Sequence, residues 1–244
     1  MRLFFKFFIS LMIGTIIAGI GFWFFNNESL PEGTSKAEAD QVAQQMMRAV
    51  NKEAWDEIKW VSWTFRGAHD FLWDKKRDMV EVKWDENRVL LHTKSITGKA
   101  YQNGQLVEDS SELIQAAWSY FCNDSFWLNP VVKAFDSGTE RSLVTLEDGR
   151  KGLKVAYTSG GVTPGDSYVW ILDETNRPVA WKMWTKIIPI GGVETSWENW
   201  QTLPGGAMVA SMHKTKGPAL ELTNIKAGNT LAEIGRTADP FKEL

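Results

Sequence analysis

From Ile58 onward, apolar residues recur at every second position in short runs, and the gaps between runs are too short for a parallel crossover. A parallel connection needs about a dozen residues or more, so neighbouring runs can pair only antiparallel. The first group covers 58–66, 69–75, 78–85, 88–94 and 97–107, broken by turn signals such as Arg66-Gly67, Asp85-Glu86-Asn87 and Asn103-Gly104. Five strands in a meander are expected there. The pattern then gives way to a helical insertion over 109–135. Asp109 and Glu112 form a cap, Leu113 to Cys122 read as a helix, and the apolar knot Phe126-Trp127-Leu128 precedes Pro130. Strand periodicity resumes at 141–147, 152–159, 166–174, 178–188, 193–203, 206–214 and 219–227. About twelve antiparallel strands must split into a sandwich or curl into a barrel. The tail Ala227–Leu244 carries little pattern and is expected to be loose.

Ahead of the strands lies an amphipathic helix. Ser35-Lys36-Ala37-Glu38 has capping-box spacing, and Ala39, Val42, Ala43, Met46, Met47 and Val50 follow at three- and four-residue steps, to end near Asn51. Residues 26–34, with Pro31 and Gly33, read as a polar linker, and 35–244 as the domain. Arg2 and Lys6 precede an uncharged run from Phe7 to Phe25, long enough for a bilayer-spanning helix. Residues 1–25 are therefore expected to be a signal anchor or a cleaved signal peptide. The bases on the N-terminal side predict a single-pass inner-membrane protein whose C-terminal domain is periplasmic or otherwise extracytoplasmic.

The chemistry-bearing residues are sparse. With 27 basic and 30 acidic side chains among 244 residues, the net charge is −3, which gives no excess of bases for a nucleic acid partner. The single Cys122 excludes an internal disulfide and a cysteine-based metal site. Cys122 closes an apolar helix face and reads as a small buried hydrophobe. His69, His92 and His213 show no paired spacing. His69 and Asp70 are adjacent on a strand and so point to opposite faces. Gly160-Gly161-Val162-Thr163-Pro164-Gly165-Asp166-Ser167 has the glycine spacing of a phosphate loop. Asp166 stands where that loop needs a lysine, and a strand rather than a helix follows, so it reads as a hairpin loop. No metal, cofactor or catalytic residue is implied.

Thirteen tryptophans are the compositional outlier. Trp60/Trp63, Trp181/Trp184 and Trp197/Trp200 are each three apart, which on a strand places the members on opposite faces. Both faces of the sheet then carry wide aromatic surface. One account is an ordinary sandwich core, and the other an apolar cavity that accepts a ligand.

The order of elements resembles the LolA/LolB-like lipoprotein-carrier fold. The segment Asp166-Ser167-Tyr168-Val169-Trp170-Ile171-Leu172-Asp173-Glu174-Thr175-Asn176-Arg177-Pro178-Val179-Ala180-Trp181 is similar to that family's central hairpin, and Trp73-Asp74 ends the second strand as it does there. The resemblance covers roughly residues 36–227. It implies a mainly β fold with α: a curved antiparallel half-barrel of 11–12 strands under an N-terminal helix, with the helical insertion as a lid. It also implies a non-catalytic module that holds the acyl chain of a lipid or lipoprotein, here tethered to the membrane through the N-terminal helix. Candidate liners are Trp118, Phe121, Phe126, Trp127 and Leu128 on the lid, with Trp60, Trp73, Trp84, Trp170, Trp181 and Trp197 on the sheet. Two other readings stand beside it, a secreted hydrolase with a dispersed active site and a structural cell-envelope protein whose aromatic faces only pack.

Overall fold

The computed structural model describes residues 26–34, 36–160 and 163–244. The apolar run Phe7–Phe25, the capping serine Ser35, and Gly161 and Val162 of the glycine loop lie outside the described residues. The expectation of a single-pass inner-membrane protein is corrected: among the described residues no helix is long and apolar enough to cross a membrane. That finding bears on helices alone and says nothing of strands.

Fourteen strands stand among the described residues, every neighbouring pair antiparallel. The first meander is β1 (Trp60–Phe65), β2 (His69–Asp74), β3 (Met79–Trp84), β4 (Asn87–His92), β5 (Thr97–Gln102) and β6 (Gln105–Val107). The second series is β7 (Thr139–Thr145), β8 (Lys151–Tyr157), β9 (Ser167–Leu172), β10 (Pro178–Trp184), β11 (Val193–Ser196), β12 (Glu198–Thr202), β13 (Met208–His213) and β14 (Leu220–Gly228). They form a nine-stranded sheet, β12-β13-β14-β1-β2-β3-β4-β5-β6, and a five-stranded sheet, β11-β10-β9-β8-β7. The sheets curve without closing into a barrel. Their seam is Trp197, between β11 and β12. Its amide donates to the Val179 carbonyl of the smaller sheet, while Ser196 N donates across to Lys214 O.

Among the described residues, three α-helices pack on this frame. α1 (Lys36–Ala49) buries Ala39, Ala43 and Met46, the stripe its periodicity predicts, and packs against β7 and β8. α2 (Lys52–Glu57) was not legible. It begins where Asn51 turns left-handed at φ 53° and accepts from Ala54 N at 3.2 Å, a conformation that asparagine tolerates better than most residues. α3 (Ser111–Leu128) is one continuous helix, longer than the sequence predicts. The expected Asp109 cap is absent: Ser110 occupies the cap position, and Asp109 accepts from the Ser111 hydroxyl at 3.3 Å.

The main core lies between α1, α3 and the inner faces of both sheets, around Trp63, Leu153, Trp170 and Trp181. Two smaller clusters cover the outer faces. Trp60, Leu72 and Leu90 meet Ile234 and Phe241, so the tail beyond β14 is folded onto the sheet rather than loose. It turns back through short 3-10 segments at Ala232–Ile234 and Pro240–Glu243, and Arg77 ties it down through Asp239 at 2.9 Å. On the second sheet Val144, Val169, Ile171 and Ala180 form the other outer cluster. Residues 27–34 lie against that sheet. Lys182 donates to both Glu28 carboxylate oxygens at 2.6 and 2.7 Å, Trp184 Nε1 to the Glu28 carbonyl at 2.8 Å, and Lys154 Nζ to Pro31 O at 2.8 Å.

Candidate functional site

Strand parity decides which tryptophans can meet a ligand. On β1, Trp63 faces inward and stacks on Phe71 at 4.5 Å, whereas Trp60 faces outward and stacks on Phe241 at 6.0 Å. On β10, Trp181 faces inward, and Trp184 faces outward to bond Glu28. The third pair departs from the rule, because Trp197 and Trp200 sit 6.3 Å apart on one side. The chain changes sheets at Trp197, and Asn199 is left-handed at φ 52°. The two-residue alternation assumes unbroken extended backbone, and here it resets.

α3 runs through the concavity with aromatic side chains on several faces. Phe126 stacks on Trp181 at 5.8 Å, Trp127 meets Trp181 edge-on at 5.1 Å, and Phe121 meets Trp73 edge-on at 5.3 Å. The helix stays continuous through the polar triplet Asn123-Asp124-Ser125 because Asp124 has a use inside. Its carboxylate lies 2.7 Å from His69 Nδ1 and 2.7 Å from Asn123 Nδ2. Burial pushes the Asp124 carboxyl above its ordinary range, against these bonds, which pull it down. Tyr120 lies over the His69 ring at 4.0 Å, so helix and β2 are joined by both a polar and an aromatic contact. His69 thus pairs with a carboxylate that the sequence places 55 positions away. The only signal was a polar triplet inside an otherwise apolar helix.

Between α3 and the second sheet lies a cavity of about 520 Å³. Trp118, Phe121, Phe126 and Trp127 line it from the helix, Trp181 and Met183 from β10. Tyr157 and Tyr168 close its floor, and Ile187 and Ile188 stand at its rim. Trp181 Nε1 is buried there without a protein partner. Of the other expected liners, Trp73 borders a second, smaller cavity, and Trp84, Leu128, Trp170 and Trp197 are packed in the core. Trp60 is on the outer face, where it cannot reach either cavity. Met183, Tyr157 and the isoleucines escaped the sequence reading, which followed the tryptophans and the apolar side chains of the helical insertion.

The titratable groups on this wall are held in their uncharged or fully bonded forms. Burial pushes the Cys122 thiol up to about 12, so it stays protonated near neutral pH. Burial also raises the Tyr157 and Tyr168 phenols above their ordinary value. Asp166, in the glycine loop, accepts from Lys186 N at 3.0 Å and from the Thr163 hydroxyl at 2.7 Å. It anchors the two loops at the cavity mouth, and the loop joins antiparallel β8 and β9 as the hairpin reading requires.

The smaller cavity, about 170 Å³, adjoins the first, with Ser125, Lys133 and Asp136 common to both. Trp55 and Trp73 wall it, their rings 6.4 Å apart. Asn129, at the C-terminus of α3, borders it with 3% of its surface exposed. Both its side-chain amide atoms lack a protein partner. Leaving such atoms buried and unpaired costs about 1–3 kcal/mol each.

No protein-family model matches the chain, and no curated protein matches it. Solved structures similar to it include a DUF1329 family protein from Desulfovibrio piger, at TM-score 0.43 and 10% identity, covering 82% of this chain and 98% of that one. Another is a domain from Vibrio parahaemolyticus named for outer membrane lipoprotein sorting, at TM-score 0.40 and 11% identity, covering 78% of this chain and 93% of that one. The second of these bears the name of the family that the order of elements resembles. A likeness of this size brings no function with it.

Proposed function

We propose that this chain is a non-catalytic binding module that takes an apolar chain, such as a fatty-acyl group, into the cavity between α3 and the second sheet. The observation that carries the reading is the cavity itself. Its volume of about 520 Å³ falls within the range of about 300–1,000 Å³ usual for small-molecule sites, and aromatic and aliphatic side chains dominate its wall. The charged side chains on that wall are already engaged, which supports binding over turnover: Lys133 pairs with Asp136 at 3.2 Å and Asp166 spends its oxygens on a loop amide and a hydroxyl, while the thiol is protonated and the phenols are neutral. The aromatic and aliphatic part of the wall suits an alkyl chain, which asks no hydrogen bond of it.

Each buried methylene contributes about 0.8 kcal/mol, so affinity should rise about fourfold per carbon until the cavity is full. The test is titration of saturated acyl probes of increasing length, read by tryptophan fluorescence. Trp127→Asp, which puts a charge on the cavity wall, should weaken binding at least tenfold. Affinity independent of chain length in the folded protein would overturn the proposal.

A further inference from the structure

We propose that the smaller cavity, beside Trp55 and Trp73, is the head-group subsite of the same ligand, and that it selects an uncharged head bearing both a hydrogen-bond donor and an acceptor, of the carboxamide type. This rests on the acyl-chain reading of the larger cavity. Three residues, Ser125, Lys133 and Asp136, border both spaces, so a ligand whose tail lies against Phe126 and Trp127 can place its head past Ser125 without leaving the protein.

The chemistry of the subsite sets the head. Asn129 supplies one carbonyl oxygen and one NH2 group, both buried and both without a protein partner. A primary or secondary amide answers both at once, donating to Oδ1 and accepting from Nδ2. The charges at the rim cancel. Lys133 pairs with Asp136 at 3.2 Å, and Lys52 pairs with Asp56 one helical turn away. A free carboxylate therefore meets lysines already neutralised by their own partners, and an ammonium head meets acids in the same condition. Trp55, 4% exposed, and Val132, 8% exposed, complete walls that favour a small, uncharged group. A site built to bond both a donor and an acceptor discriminates strongly against heads that offer only one, because the unmatched protein atom stays buried and unpaired.

The test uses three probes with one tail, dodecanamide, dodecanoate and dodecylammonium, titrated into the full chain. The amide is expected to bind at least tenfold more tightly than either charged probe. In Asn129→Leu that preference should fall below threefold. Asn129→Ser gives up one of the two bonds and should show an intermediate preference, so the comparison survives if the leucine variant does not fold. Equal binding of all three probes to the wild type, or a preference that persists in both variants, overturns the head-group assignment and leaves the acyl-chain reading standing. Failure of all three probes to bind overturns the acyl-chain reading itself.

Discussion

His213, the last residue of β13, is the buried base whose titration should be felt most by the whole fold. It is fully enclosed, its Nδ1–H directed at the Ser196 carbonyl at 3.3 Å, its Nε2 without a partner. The rings of Trp197 and Trp127 lie 4.3 and 5.3 Å away. Burial in this aromatic setting pushes its pKa from 6.5 down to about 4. The folded-state value is depressed, so between about 4 and 6.5 the unfolded chain binds the extra proton. Stability from this group is complete above about pH 6.5 and drains away as the pH falls toward 4. At pH 4.5 the loss amounts to about 2–3 kcal/mol, a large fraction of an ordinary domain's margin. Urea unfolding at pH 7 and pH 4.5, in wild type and in His213→Phe, isolates the effect, because carboxylates common to both proteins cancel in the difference. The wild type should lose about 2–3 kcal/mol more than the variant between the two pH values. Losses that agree within about 0.5 kcal/mol, or an imidazole resonance for His213 that titrates near its ordinary value in the folded protein, would refute the reasoning.

Two further outcomes are expected. Phe241→Ala removes the ring stacked on Trp60 and should cost about 3–5 kcal/mol in urea unfolding while leaving acyl-probe affinity unchanged, since that cluster is on the outer face; a loss of binding without a loss of stability would contradict the face assignment. Glu28→Gln leaves the Lys182 ammonium, 7% exposed, without its nearest countercharge and should destabilise by about 1–2 kcal/mol, which a melting temperature identical to wild type would disprove.

The antiparallel architecture was legible because a period of two and short gaps leave no other way to pair. The α1 stripe was legible because Ala39, Ala43 and Met46 repeat at helical spacing on a face that must be covered. The run 193–203, read as one strand, is two strands in different sheets, because a sheet switch at Trp197 needs only a local bend and leaves the apolar pattern intact. The count of eleven to twelve strands fell short of the fourteen described for that reason, and because the three-residue β6 is too short to show a period. Trp60 was drawn into the candidate site because composition marks a tryptophan but parity alone says which side it serves, and the concave side is set by contacts such as Phe241, far along the chain. Asn129 carried no signal at all: an asparagine before a proline reads as punctuation, and only the packing around it reveals an amide without a partner.

The seam between β1 and β14 carries a kinetic consequence. Trp60 pairs with Gly228 and Phe65 with Leu222, and Lys59 N donates to a side chain 170 residues further on. The first meander therefore has its inner edge completed only by the last strand to be made. Long-range pairings of this kind slow folding, since the loop must close before the contacts reward it. During synthesis β1 must wait, with that edge unpaired, until nearly the whole chain is available. A ribosome stalled anywhere before β14 would hold a chain that is open at its centre and prone to stick to its neighbours.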